Sequence, residues 1–314
     1  RLDMWSFCCR HRKEEDGGAA LAPQPARVAH HFPLLDPIAD LHVIELRLSD
    51  HAPITFFTPE GPVLSQNCMC TGERYNPQAA NSFGVDPNDE KRWRGRLSSL
   101  VRQLQTNVTV AEGHTNALPI IALQEFPRVK QTGASFFEQE LQLQFPGWKF
   151  CFGAKDSHGD QSSQLCVLVP PKCNIRAKPD MSELTAALPR QHRDNLAENP
   201  QWRRGRFQVV VFDNHALINI HPGPSGRFRG NDDPVLHLLD TMSAALLQTV
   251  AAVHVVGDWN RPAKGVVPPV LSELRWDVSS PNGECHLAPF SATGGQTIYN
   301  KGGPIDHLVR MTRR

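Results

Sequence analysis

Carboxylate, amide and imidazole side chains stand at the ends of several strand-like segments of this 314-residue chain. Carboxylate and amide oxygens are the ligands that Mg²⁺ prefers, and an imidazole can bind a phosphate oxygen or transfer a proton. Hydrolysis of a phosphate ester needs these groups together with an activated water. The candidate residues are Asp50, His51, Asn67, Glu125, His221, Asp258, Asn260 and Asp306.

Two of these candidates follow an apolar strand-like run, in the sequence Gly257-Asp258-Trp259-Asn260. Residues two apart in an extended chain point to the same side. A carboxylate that orients or deprotonates water could therefore stand beside an amide that holds the phosphate. Gly, Asp and Asn are also ordinary residues of a turn that ends a strand, so the motif is only moderately specific by itself.

In combination, the motifs resemble those of the endonuclease/exonuclease/phosphatase superfamily, whose fold is that of deoxyribonuclease I. In that family a Ser-Asp-His-x-Pro element comes last, whereas here Ser49-Asp50-His51-Ala52-Pro53 stands near the beginning. Moving residues 40–58 to the end puts every motif in the family order, so the resemblance implies a circularly permuted chain. Exchange of this strand between two copies of the chain is the alternative.

The resemblance also implies a set of metal ligands. Glu125 is expected to be the main ligand of Mg²⁺, with Mn²⁺ as a substitute ion. Asn67 supports it from the adjacent strand, and Asp50 is a further ligand or lies close to one.

Two histidines are expected to bind phosphate and transfer protons. The resemblance pairs His51 with Asp306, and it places Glu125 behind His221. Asp258 and Asn260 complete the catalytic set. His307 is expected to point away from the site.

The substrate is less well defined, because members of this family cleave DNA, RNA, phosphoinositides and sphingomyelin. Arg261 after Asn260 resembles the G-D-x-N-R-x-P stretch of cytolethal distending toxin nuclease subunits, although Pro262 follows Arg261 immediately. This favours a nuclease. The alternatives are a phosphoinositide or inositol phosphate phosphatase, a sphingomyelinase-like hydrolase, and a catalytically silent binding module.

Candidate substrate contacts lie close to the catalytic motifs. The segment 222–233 follows His221 directly and carries Arg227 and Arg229, which with Arg261 could grip a phosphate backbone. Nucleic acid is the expected partner, and a phosphorylated lipid is the alternative.

The elements that must position these residues are predicted from periodicity and turn signals. Strand-like runs flank a turn at residues 59–61, which predicts a hairpin joining the Asp50-His51 strand to the Asn67 strand. Apolar residues recur at helical spacing over 91–104, 135–143 and 234–250. The resulting fold class is α/β, and the resemblance specifies a four-layer α-β-β-α sandwich of two packed mixed sheets flanked by helices.

Composition is compatible with one large domain, because 40% of the residues are hydrophobic. The net charge of +1 gives no global attraction to a polyanion, so any affinity for phosphate must be local. Residues 1–37 are expected to form a poorly ordered extension and residues 38–314 a single catalytic domain, acting as a monomer.

The eight cysteines show no metal-site or redox spacing, which favours reduced thiols in a cytosol-like compartment. Cys8 and Cys9 precede a basic stretch that could mark a lipidated terminus, and a removed leader is a further alternative. No segment is long and apolar enough to predict a transmembrane helix.

Overall fold

The computed structural model describes residues 53–68, 90–126, 134–153, 164–179, 206–222, 233–261, 265–279, 286–287 and 306–314. All of them belong to one compact unit that spans residues 45–314. Two six-stranded sheets form its centre.

The first sheet has the order β11-β1-β2-β3-β5-β4. Its strands are β1 (Ile54–Thr58), β2 (Gly61–Asn67), β3 (Ile120–Phe126), β4 (Lys149–Phe152), β5 (Gln164–Val169) and β11 (His286–Leu287). Strands β2 and β3 run parallel and the other neighbours run antiparallel, so the sheet is mixed.

The second sheet has the order β10-β12-β9-β8-β7-β6. Its strands are β6 (Ile175–Ala177), β7 (Phe207–Phe212), β8 (His215–Ile220), β9 (Ala252–Asp258), β10 (Leu274–Ser279) and β12 (Asp306–Arg313). Only β8 and β9 run parallel.

The inner faces of the two sheets pack against each other. Phe56 and Val167 of the first sheet share one buried cluster with Leu217 and Val256 of the second. The central strands are apolar on both faces because helices cover their outer sides as well. This gives continuous apolar runs such as residues 209–212 instead of simple alternation.

Helices form the two outer layers, which confirms the predicted α-β-β-α sandwich. Helices α1 (Glu90–Thr115) and α2 (Ala134–Gln144) pack on the first sheet, and α3 (Pro234–Leu246) packs on the second. Helix α1 is longer than the predicted 91–104. Its second half is rich in threonine and valine, which have modest helix propensity, but Val108 and Ala111 continue the buried face.

The predicted hairpin at residues 59–61 is confirmed. Thr58 pairs with Gly61, and β1 and β2 remain in register back to Ile54 and Ser65. Gly61 has φ 129°, a conformation that side chains disfavour. Ser49, Asp50 and His51 lie outside the described residues, so the circular permutation remains a prediction.

Glu60, in the turn of this hairpin, ties the first sheet to the second. Its carboxylate accepts two hydrogen bonds from the guanidinium of Arg310 on β12, at 2.6 and 3.0 Å, and lies 2.9 Å from Nε2 of His254 on β9. Burial alone would raise the pKa of the Glu60 carboxyl, but the hydrogen bonds from His254 and Arg310 outweigh it and hold the pKa far below its usual value.

Acidification is expected to lower the free energy of unfolding between about pH 6.5 and pH 4. Burial, and to a lesser degree the nearby His254, lower the pKa of His215 from 6.5 to about 4. The unfolded chain therefore takes up a proton in this range that folded His215 does not, and stability falls by about 3 kcal/mol. Urea unfolding at pH 7, 5.5 and 4 measures the fall, and His215→Phe should reduce it. An equal fall in that variant would contradict the assignment.

None of the described helices is long and apolar enough to cross a membrane. Among the cysteines in the described residues, Cys151, Cys166 and Cys173 are free thiols. Burial raises the pKa of Cys151, Cys166 and Cys173, which keeps these thiols protonated at neutral pH.

Candidate active site

The ends of five strands meet at one edge of the sandwich. Strands β2 and β3 are parallel in one sheet, β8 and β9 are parallel in the other, and β12 starts beside the end of β9. The residues at these ends are Asn67, Glu125, His221, Asp258 and Asp306, all predicted as site residues.

The amide of Asn67 connects the two sheets. Its Nδ2 donates to Oδ2 of Asp258 at 3.1 Å and lies 3.5 Å from Oε1 of Glu125. Asn67 and Asp258 are 191 residues apart in sequence, so this contact depends on the packing of the sheets.

His221 faces the same two carboxylates. Its Nε2 lies 3.4 Å from Oε1 of Glu125 and 3.5 Å from Oδ2 of Asp258. The exposed fractions of the three side chains are 11%, 14% and 3%, so the cluster is largely shielded from water. Electrostatic interactions in such a setting are stronger than at an exposed surface. Glu125 and Asp258 therefore both lie next to Nε2 of His221.

Asp306 is the antiparallel partner of Asp258 in the sheet register. Directly paired residues present their side chains on the same face, so the two buried carboxyl groups are neighbours. The predicted pairing of Asp306 with His51 remains a prediction, because His51 lies outside the described residues.

Asn260 lies in a tight turn that follows β9. Its φ is 52°, a left-handed value that asparagine tolerates, and its backbone N–H donates to Oδ1 of Asp258 at 2.8 Å. The side-chain Nδ2 donates to the carbonyl of Pro222 at 2.7 Å. Asn260 thus orients Asp258 and holds the chain after His221, and a direct contact of its amide with phosphate remains a prediction.

Arg261 is not part of the cluster. Its guanidinium is buried and forms an ion pair with Asp233, whose other carboxylate oxygen accepts from the N–H of Val235 and caps α3. In the structure the Arg261 guanidinium contacts Asp233, and its predicted contact with substrate remains a prediction. Its guanidinium fastens the turn after β9 to the start of α3.

His307 also fastens this turn. One ring nitrogen, Nε2, lies 2.9 Å from the carbonyl of Arg261, and its own carbonyl accepts from the indole N–H of Trp259 at 3.0 Å. Burial lowers the pKa of His307, more than the Arg261 carbonyl and Asp306 raise it, which favours a neutral ring. The ring nitrogen contacts backbone, as expected for a histidine that points away from the cluster.

A polar network under the site was not predicted. Nε2 of Gln124 donates to Oδ1 of Asn219 at 2.8 Å, and Nδ2 of Asn219 donates to the carbonyl of Leu123 at 3.0 Å. Both side chains are completely buried and link the two sheets. Their signal in the sequence is a polar residue within an apolar strand, since a buried amide requires hydrogen-bond partners.

Arg206 is a second residue whose position the sequence did not predict. Its Nη1 lies 2.7 Å from Nδ1 of His221. In the sequence it belongs to a basic cluster, residues 202–206, with nothing to distinguish it from its neighbours.

Glu125 has an unusual backbone conformation. Its φ is 51°, and the pairing of β3 with β5 shifts register between Leu123 and Phe126. A non-glycine residue at positive φ costs free energy, and such residues concentrate at functional sites. The bulge directs Glu125 to the edge where His221 and Asp258 lie.

The predicted metal ligands are only partly described. Glu125 and Asn67 are adjacent, whereas Asp50 lies outside the described residues, as do Arg227 and Arg229. Within the described ranges, no three His, Cys, Asp or Glu side chains form a metal-binding group. Glu125, Asn67 and Asp50 as metal ligands remain a prediction.

Comparison with solved structures finds low similarity over most of the chain. The catalytic domain of Xenopus laevis APE2 matches with a TM-score of 0.36 and 15% identity, over 66% of this chain and 78% of that one. Truncated Caenorhabditis elegans TDP2 gives 0.35 and 14%, over 73% and 81%. An endonuclease/exonuclease/phosphatase from Bacteroides vulgatus gives 0.36 and 13%, over 66% and 78%. No family model and no curated protein matches the sequence.

Proposed function

We propose that this protein is a Mg²⁺-dependent phosphoesterase that hydrolyses phosphodiester bonds of nucleic acid. The proposal rests on a cluster of side chains that come from strand ends of both sheets. Nδ2 of Asn67 and Nε2 of His221 each lie 3.1 to 3.5 Å from the carboxylates of Glu125 and Asp258. A constellation of two carboxylates, an amide and an imidazole suits hydrolysis of a phosphate ester.

The donor set fits a hard divalent cation. Glu125 and Asp258 bring two carboxylates to one edge, and Asn67 adds an amide. Mg²⁺ prefers one or two carboxylates together with water and substrate oxygens. Glu125 and Asn67 would hold the ion, with Asp50 as the further ligand, and a bound Mg²⁺ would stabilise charge on the phosphate oxygens.

The protein side chains have separate roles in this proposal. Asp258 orients the attacking water and accepts its proton, because Asn260 and Asn67 fix its two oxygens. His221 directs Nε2 toward the same place and binds a phosphate oxygen. His51 and Asp306 are proposed as the second proton-transferring pair.

Nucleic acid is proposed as substrate on the basis of chain connectivity. The segment 223–232 contains Arg227 and Arg229, and both of its ends are fixed by the catalytic turn. Asn260 holds Pro222 at the start, and Arg261 holds Asp233 at the end. Arg227 and Arg229 therefore belong to a segment whose flanking residues, Pro222 and Asp233, contact Asn260 and Arg261, and they are proposed to bind a phosphate backbone.

A substrate panel tests the proposal. The full chain is incubated with plasmid DNA, RNA, phosphoinositides and sphingomyelin, with Mg²⁺ or with EDTA. Metal-dependent cleavage of DNA or RNA is expected. Phosphate release from inositides without cleavage of nucleic acid would show that the protein is a phosphatase and not a nuclease. Absence of metal-dependent turnover on every substrate would refute the proposal that the protein is an enzyme.

Asp258→Asn is expected to lower kcat by about 10²- to 10⁴-fold, because the amide cannot accept the proton of the attacking water. The matched control is Asp277→Asn on β10, where the carboxylate is 41% exposed and pairs with Arg275. This control should retain full activity. An Asp258→Asn variant as active as the control would exclude Asp258 as the proton acceptor.

A further inference from the structure

Arg206 and His221 face each other across the hairpin of β7 and β8. The N–H of His221 donates to the carbonyl of Arg206 at 3.0 Å, which continues the strand pairing beyond Phe207 and Ile220. Residues paired in this way present their side chains on one face. Nη1 of Arg206 lies 2.7 Å from Nδ1 of His221, which is a short hydrogen bond.

The chemistry of the two groups decides which one donates. A guanidinium has five N–H donors and no acceptor, so Nδ1 of His221 must accept. The proton of the imidazole is then on Nε2. That nitrogen faces Oε1 of Glu125 and Oδ2 of Asp258, and ionised carboxylates only accept.

The opposite arrangement is disfavoured on both sides of the ring. A proton on Nδ1 would point at the guanidinium of Arg206, and the lone pair of Nε2 would face two carboxylates. One tautomer therefore satisfies the contacts of both ring nitrogens with these three residues. Arg206 donates to Nδ1 of His221, and the Nε2–H of His221 faces the carboxylates of Glu125 and Asp258.

We propose that Arg206 is a positioning residue that fixes His221 as an Nε2–H donor at the catalytic edge. In this arrangement Arg206 carries the positive charge, and His221 supplies a directed N–H to the phosphate. The catalytic consequence rests on the proposed function, whereas the placement of the ring rests on the hydrogen bonds alone.

The placement of the ring is tested by NMR. The full chain is labelled with ¹⁵N in its histidines, and a two-dimensional spectrum recorded with Mg²⁺ correlates the ring nitrogens of each histidine with its ring protons. The His221→Asn spectrum identifies the His221 signals. The expected pattern is a protonated Nε2 and an unprotonated Nδ1, and Arg206→Met should convert it to a mixture of tautomers.

The catalytic consequence is tested by kinetics on the substrate that the panel identifies. Arg206→Met is expected to lower kcat by about 10- to 100-fold with little change in KM, the usual size for loss of a group that orients a catalytic histidine. Arg206→Lys retains a donor, so its kcat and its fraction of the Nε2–H tautomer should both lie between those of Arg206→Met and the unsubstituted protein. The control is Arg275→Met on β10, whose guanidinium is 68% exposed.

Two results would overturn the proposal. The first is an unchanged His221 tautomer in Arg206→Met, whatever the activity. The second is an Arg206→Met variant in which the His221 tautomer changes but kcat equals that of the Arg275→Met control. If Arg206→Met does not fold, Arg206→Ala, which also removes the donor, is judged by the same two readouts. An unsubstituted protein without phosphoesterase activity would refute the proposed function, and the spectrum would still decide how the ring is placed.

Discussion

Glu125→Gly is expected to abolish metal-dependent turnover and to raise the free energy of unfolding by about 1 kcal/mol. The loss of activity follows from the proposed role of Glu125 as the main metal ligand. The gain in stability follows from its φ of 51°, which glycine adopts without strain. The variant also removes a carboxylate that stands beside Asp258, and with it a repulsion between like charges.

The two effects can be separated with a second variant. Glu125→Gln removes the charge but keeps a side chain at positive φ, so it should lose activity without relief of the backbone strain. Guanidinium unfolding gives the free energy of unfolding of both variants, and turnover with Mg²⁺ gives the activity. Equal stability of Glu125→Gly and Glu125→Gln would show that the positive φ costs nothing. Full activity of either variant would show that Glu125 is not a metal ligand.

Gly257→Ala is expected to lower the free energy of unfolding by about 3 kcal/mol or more, through backbone strain and a steric clash. Gly257 has φ 139°, and a Cβ built there would lie 2.1 Å from the carbonyl oxygen of Ile220 on the neighbouring strand. That oxygen belongs to a central strand and cannot move aside without disturbing the pairing of β8 with β9.

The consequence extends to catalysis because Asp258 is the next residue. A shift of β9 away from β8 would separate Asp258 from His221, so the folded variant should also be less active. Thermal and urea unfolding measure the first effect, and kcat measures the second. The matched control is Gly95→Ala in α1, where none of the described residues outside the adjacent helix backbone comes within 4 Å of the added methyl group. It should stabilise the protein by about 0.5 to 1 kcal/mol. Similar stabilities for the two variants would contradict the steric argument.

Local sequence patterns predicted the elements because the determinants are local. The turn at residues 59–61 selects a hairpin through the conformations of Pro59 and Gly61. Apolar spacing identifies the buried faces of the helices, and apolar runs identify central strands such as β9. Each candidate residue that the structure describes stands at a strand end, as the sequence suggested.

The limits of these patterns are also physical. Helix α1 extends eleven residues beyond the predicted end at 104, because burial of Val108 and Ala111 compensates for modest propensity. The register shift that gives Glu125 its positive φ depends on the pairing of β3 with β5, which no local pattern specifies.

The sequence by itself determined the hairpin at residues 59–61, the residue types of the candidate site and the chemistry that those types permit. Only the tertiary structure decided which groups meet. Asn67 reaches Asp258 from the other sheet, Arg206 reaches His221 across a hairpin, and Arg261 turns to Asp233 and is buried. These contacts join residues that are distant in sequence, and they depend on how sheets pack and where side chains find partners, which the spacing of motifs does not encode.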